Sequence, residues 1–159
     1  MPKDLASQES GVKPEAADAM PVLLDVNVVL DLLLNRTPFV ADAVALFALA
    51  EAGEVELWVS CDSISTISYL VGKGSNRKTA KDTVISLMGF VNIAPLDGGS
   101  VLYALSLDFD DTEDALIAAA AENVKARAII TRNVKDFGKS PIIAMTPAEF
   151  LSAHAIATK

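Results

Sequence analysis

The chain has 159 residues, 52 % of them hydrophobic, enough apolar material for one domain with a sizeable core. Its formal charge of −8, from 13 Lys and Arg against 21 Asp and Glu, argues against holding nucleic acid by bulk electrostatics, because such domains are usually basic. The single Cys61 excludes an intramolecular disulfide and any multi-cysteine zinc site, and the single His154 offers little for a histidine-based triad.

Residues 1–19 are polar and small, without hydrophobic period, and read as a tail outside the core; residues 20–159 read as one domain. No run approaches the ~18 apolar residues of a membrane span. The first five residues lack the apolar core of a secretory signal, so the expected location is the cytoplasm, away from any membrane.

In chain order, Val22 to Leu24 is a short apolar run without alternation, which predicts a buried parallel strand ending at Asp25. From Val28 the spacing of Val28, Val29, Leu32 and Leu33 turns helical. Thr37 reads as an N-cap with Pro38 at N1, opening a helix from about Phe39 to Ala52 with apolar face Val40, Val44, Leu46, Phe47 and Leu49. Gly53 suits its C′ stop. Val55 to Val59 is a second strand, with Trp58 expected in the core and Cys61 expected as a small buried hydrophobe. Ser60 and Asp62 then offer caps for a helix whose apolar side is Ile64, Ile67, Tyr69 and Leu70.

A turn at residues 72–76 leads to a helix from Arg77 to Met88. Arg77, Lys78 and Lys81 crowd its start, where acids are usually preferred; they read either as a solvated face or as a phosphate or partner contact. Phe90 to Ala94 is the third strand and Ser100 to Leu107 a short helix. Asp108 to Asp114 then packs five acids into seven residues ahead of an Ala-rich helix, Ala115 to Asn123. One or two acids suit a helix start, but five repel unless something cationic sits among them. Arg127 to Ile130 and Ile142 to Ala144 are the last strands, and Thr146-Pro147-Ala148-Glu149 is a capping box opening the final helix to about Ala155. His154, near its end, is expected at the surface.

Strands alternating with helices predict an α/β fold with a parallel sheet covered on both faces. Right-handed crossovers bring the strand ends of one polarity to one edge. That edge would collect Asp25, Asn133 and Asp136, with Asp114 at the start of a nearby helix. Asp25 and Asn27 alone could simply cap the following helix. Oxygen ligands without His or Cys select Mg²⁺ or Mn²⁺, which neutralises phosphate charge and activates water. The sequence has no Walker A motif, dinucleotide glycine fingerprint or nucleophile elbow. The residues therefore point to metal-assisted hydrolysis of a phosphodiester or phosphate ester.

Leu23-Leu24-Asp25-Val26-Asn27-Val28, then Glu113-Asp114-Ala115-Leu116-Ile117-Ala118-Ala119-Ala120, then Thr131-Arg132-Asn133 with Asp136-Phe137, together resemble the PIN domain. The similarity covers about Pro21 to Leu151, and its closest branch is the VapC-like toxin component of bacterial toxin–antitoxin pairs. The resemblance implies a three-layer α/β/α fold with a sheet of about five strands in the order 3-2-1-4-5. It implies a ribonuclease using Mg²⁺ or Mn²⁺, with RNA as substrate, an antitoxin protein as partner and a homodimeric assembly. Asp25 matches the first acid and metal ligand, Asn27 its polar neighbour, Asp114 the acid opening the Ala-rich helix and Thr131 the supporting hydroxyl. Asn133 stands in place of the fourth acid, with Asp136 one turn on as a compensating ligand. The position of the second acid, a glutamate in the family, is Thr66, with Asp62 one helical turn earlier; Asp110, Asp111 and Glu113 are further sources of charge. Arg132 is the candidate phosphate contact, a turn-stabilising role being its alternative.

Two functions follow for testing: a metal-dependent endoribonuclease with catalytic Asp25, Asp114 and Asn133, and a catalytically weak PIN-fold module that binds RNA or protein. Thr66 and Asn133 favour the second. A phosphatase of another α/β family is a third possibility.

Overall fold

The computed structural model describes residues 18–158. Apart from Asp18 and Ala19, the tail assigned to residues 1–19 lies outside the described residues. The elements run β1 (Met20–Leu24), α1 (Val26–Leu33), α2 (Val40–Glu51), β2 (Val55–Ser60), α3 (Ser63–Lys73), α4 (Arg77–Leu87) and β3 (Val91–Ala94). They continue with α5 (Gly98–Ser106), α6 (Thr112–Asn123), β4 (Ile129–Ile130), a 3-10 turn (Val134–Phe137), β5 (Ala144–Met145) and α7 (Pro147–Ala157).

The strands form one parallel sheet in the order β3-β2-β1-β4-β5, the order that the family resemblance implies. The central strand shows why its run is continuously apolar. Val22 and Leu24 enter the core on one face with Val28, Val29, Leu46, Leu57, Ile67 and Phe150. Leu23, between them, enters the opposite core with Ile117, Ala118, Ala121, Ile129 and Phe137. Successive side chains of a strand point to opposite faces, so only a strand covered on both sides buries all three. The alanines of α6 let that helix lie close against the sheet. Trp58 packs against this second cluster. Among the described residues no helix is long and apolar enough to cross a membrane.

Several local expectations are corrected. Helix α1 starts at Val26, two residues before the first periodic apolar position, because the Asp25 side chain caps it. Thr37 caps nothing: α2 begins at Val40, with Phe39 as its N-cap residue and no side-chain cap bond. The Phe39 ring instead lies beneath the Arg132 guanidinium, 4.1 Å from its centroid. Tyr69 is exposed, since α3 buries the stripe Ser63, Ile67 and Val71, and a residue two positions from both neighbours points away. Val44 is likewise outside the buried stripe Ala43, Leu46 and Phe47 of α2. Cys61 is exposed, one residue beyond β2, with its backbone N–H held by the Ala94 carbonyl. His154 is not a surface residue: its side chain is 10 % exposed, stacked on Phe150 and 3.7 Å from the Glu54 carboxylate. The capping box at Thr146 and Glu149 is present as the sequence predicts.

Candidate active site

Sheet order reverses between β1 and β4, the place where open α/β sheets leave a crevice beyond the strand ends. Asp25 follows β1 there and Thr131 follows β4. The Asp25 backbone N–H donates to the Ile130 carbonyl (2.9 Å), and the Thr131 N–H to the Met145 carbonyl (2.9 Å), so three neighbouring strands fix the pair.

Asp25 is 7 % exposed, and its carboxylate accepts three hydrogen bonds. Val26 N–H donates to Oδ1 at 2.8 Å, Thr131 Oγ1 to Oδ2 at 2.7 Å, and Asn27 Nδ2 to Oδ2 at 3.2 Å. Capping and site-building, alternatives at the level of sequence, are both done by this one side chain. Burial raises its pKa above the ordinary carboxylate value; the Thr131 and Val26 bonds oppose that, Asp136 adds to it, and Arg132 opposes it last. Thr131 is itself fully buried and accepts the Asn133 N–H at 2.9 Å, so one hydroxyl orients both the acid and the following turn.

Arg132 and Asp31 form a second, interior layer. Arg132 Nε donates to Asp31 Oδ2 at 2.8 Å and a terminal nitrogen donates to Oδ1 at 3.2 Å, a two-pronged contact. Arg36 lies 4.0 Å from the same carboxylate. The Arg132 backbone N–H reaches Asn27 Oδ1 at 3.4 Å. The guanidinium is thus turned to Asp31 and Phe39 and braces the loop that carries Thr131 and Asn133. Sequence reading left Asp31 without a role. Its signal was there: an acid on the buried, apolar face of α1 requires a cation partner.

Helix α6 delivers the opposing acids. Asp111 caps it, accepting the Asp114 N–H at 3.2 Å, which sets Asp114 in the first turn, half-buried. Desolvation, then Asp25, Asp111, Asp136 and Glu113, push the Asp114 carboxyl up to about 7. Asp136, in the 3-10 turn, and Asn133 before it are exposed. Asp62 accepts a short hydrogen bond from the buried Ser60 hydroxyl at the end of β2. Thr66, at the place expected for a second acid, donates to Glu113 Oε1 at 3.4 Å. Glu113 was only one of several candidate charges in the sequence; burial and the charges of Asp62, Asp111 and Asp25 raise its pKa, with Thr66 opposing.

Among the described residues no three His, Cys, Asp or Glu side chains converge into a ready-made ligand set. The donors nevertheless fit Mg²⁺ in the manner it usually binds, through one or two carboxylates with water and substrate phosphates completing the shell. Asp25, with three bonds already made, retains lone-pair capacity, and Asp114 is a carboxyl whose ionisation is delayed to about 7, first by desolvation and then by the surrounding negative charge.

A PIN domain family model matches residues 21–135. The chain belongs to the PIN domain family. It is 27 % identical over 134 residues to Ribonuclease VapC1 of Aquifex aeolicus (strain VF5), covering 81 % of this chain and 92 % of that protein. It superposes on a chain of a toxin–antitoxin complex from Klebsiella pneumoniae with TM-score 0.62 and 24 % identity, over 79 % of this chain and 97 % of that one. A chain of DNA-bound VapBC from Salmonella typhimurium gives TM-score 0.65 and 14 % identity, over 80 % and 98 % of the two chains. The PIN fold and the VapC-like character of the sequence motifs thus agree with the similarities found.

Proposed function

We propose that this PIN domain is a Mg²⁺- or Mn²⁺-dependent endoribonuclease, the toxin of a toxin–antitoxin pair, acting in the cytoplasm. The single observation that carries the reading is Asp25, buried at the switch point with its carboxylate oriented by Thr131, facing an Asp114 whose proton is held to about 7. Asp25 also caps α1, but capping does not call for a second carboxyl beside it whose charge it opposes. The likeness to a protein named a ribonuclease, and to chains from toxin–antitoxin complexes, supports RNA as substrate and an antitoxin as partner. Homodimerisation is part of the same proposal.

Asp25 and Asp114 would hold the cation, with Asp136 at the outer edge. When bound, such an ion supplies Lewis-acid stabilisation of phosphate charge and lowers the pKa of water. The chain's own contribution is positional. Thr131 and Val26 N–H hold the Asp25 oxygens in one orientation, and Asn27 ties that carboxylate to the Arg132 backbone. The Asn133 amide stands at the exposed mouth, where it can donate to a phosphate oxygen without adding negative charge. Arg132, paired with Asp31, would act by positioning this loop and by its field at Asp25.

Single-stranded RNA incubated with the full chain should be cut when Mn²⁺ is added, with cutting abolished by chelation and by Asp25→Asn. Cutting that survives both would refute the assignment. The second reading, a PIN-fold module binding RNA or protein without cleavage, is favoured by Thr66 and Asn133 at acid positions. Metal-independent RNA binding without cleavage would select it.

A further inference from the structure

We infer that the α3–α4 hairpin carries a second contact for single-stranded RNA, outside the crevice, made of Tyr69, Lys73, Arg77 and Lys81; this rests on the ribonuclease reading above. Residues 63–87 hold Lys73, Arg77, Lys78 and Lys81 against a single acid, Asp82, in a chain whose formal charge is −8. Helix stability does not ask for this concentration. Cations in the first turn of a helix oppose its dipole, and α4 opens on Arg77 and Lys78 with no acid in that turn. Lys78 pairs with Asp82 at 3.2 Å, whereas Lys73, Arg77 and Lys81 make no ion pair among the described residues.

Packing turns these three cations to one side. The helices are joined by residues 74–76 and approach closely at Gly72 and Ala80, where a Cβ on Gly72 would lie 3.4 Å from the Ala80 Cβ. Tyr69 and Arg77 each precede that contact by three residues, and Lys73 and Lys81 each follow it by one. At about 100° per residue, those positions share one flank of an antiparallel pair. Ile67 and Val71 take the other side of α3, in the core, and all four residues of the flank are exposed, Tyr69 at 66 %. An exposed ring among unpaired cations is the composition of a single-strand platform, bases stacking on the ring while phosphates meet the charges. Protein interfaces are instead depleted in lysine and centred on apolar surface, which disfavours an acidic protein segment as the occupant.

The flank is also continuous with the crevice. Ser65, Tyr69 and Lys73 follow one another at intervals of four along the exposed face of α3, which begins next to Asp62. Lys73 stands about 15 Å along the helix axis from Ser63, so a strand leaving the crevice along α3 would pass Tyr69 before reaching the cations. The chain's net negative charge repels RNA as a whole, and a local cationic flank supplies the attraction that lets a strand approach.

The test is fluorescence anisotropy of a labelled, mixed-sequence single-stranded RNA with the full chain in chelator, paired with cleavage kinetics of the same RNA in Mn²⁺. The variants are Tyr69→Ala and the triple Lys73→Gln/Arg77→Gln/Lys81→Gln. The triple should bind at least about tenfold more weakly at low salt and flatten the dependence of log affinity on log salt by about 2, the share of three phosphate contacts on a single strand. Tyr69→Ala should weaken binding at least about fivefold, the low end for losing one stacked base. Both should raise KM with kcat and melting temperature unchanged. Cleavage by wild type with affinity, salt dependence and KM unaltered in the triple would overturn the inference and leave the ribonuclease reading standing. A polyglutamate peptide that binds wild type as tightly as the RNA does, indifferent to Tyr69→Ala, would make the flank a protein-docking surface and overturn it equally. Wild type that neither binds the RNA in chelator nor cuts it in Mn²⁺ would overturn the ribonuclease reading and the inference together.

Discussion

The two walls of the crevice are built on opposite principles. The β1–β4 wall is buried and fully bonded: Asp25, Asn27, Thr131, Arg132 and Asp31 are linked in one hydrogen-bonded chain from the strand ends to α1. The α3–α6 wall is more open and dominated by like charge: Asp62 is held by the Ser60 hydroxyl, Asp111 caps α6 at Asp114, and Glu113 has one long hydrogen bond from Thr66. The first wall costs conformational freedom once, at folding, and holds its acid in place thereafter. The second gathers like charge that, on the proposed reading, a bound cation would relieve. On that reading, the first wall would position the site and the second would supply its affinity for a cation.

Breaking the first wall should have the largest effect. Asp31→Ala leaves the Arg132 guanidinium without its carboxylate in a partly buried setting and should cost about 3 kcal/mol, the lower end for breaking a buried pair. Urea unfolding would read this as a fall in midpoint at unchanged slope. Thr131→Val removes the donor to Asp25 and the acceptor for Asn133 N–H, and should cost about 2 kcal/mol by stranding buried polar groups. The same unfolding curves check it.

The second wall should respond in the opposite sense. Because the folded-state pKa of Asp114 is raised to about 7, the stability it contributes is fully present below its ordinary value near 3.8 and is lost as pH rises through about 7. Cation-free wild type should therefore lose melting temperature relative to Asp114→Asn across that window. The variant should be the more stable of the two above pH 7, and Mn²⁺ should reverse the order. The smallest change is expected far from both walls: breaking the exposed Lys78–Asp82 pair on α4 by Lys78→Ala should cost no more than about 0.5 kcal/mol in the same melts.

The legibility of the sequence follows the same division. The α/β alternation was readable because β1 is apolar on both faces and several helices carry period and caps, whereas the sheet order came only from the resemblance to the PIN domain. Asp25 and Thr131 were readable because a polar residue just past a buried strand has few places to go. The turn at Thr37 and Pro38 misled, because a local capping pattern was overridden by the packing of Phe39 under Arg132, a residue almost a hundred positions away. Asp31 was visible as an acid in an apolar stripe, yet its partner Arg132 could be named only from the folded chain. Glu113 was one acid among five, and nothing local distinguishes the one that meets Thr66. His154 appeared terminal and exposed because its partners, Phe150 apart, come from β2's entry loop. Long-range contacts, rather than propensities, account for each of these.

The electrostatic claim about Asp114 can be measured directly by following its side-chain carboxyl carbon through a pH titration by NMR, with and without Mg²⁺. A midpoint at about 7 in the cation-free protein, falling toward the ordinary carboxylate range when Mg²⁺ is added and in Asp25→Asn, is the predicted result. A midpoint near the ordinary value of 3.8, indifferent to Mg²⁺ and to Asp25→Asn, would contradict the account of this crevice as a cation site.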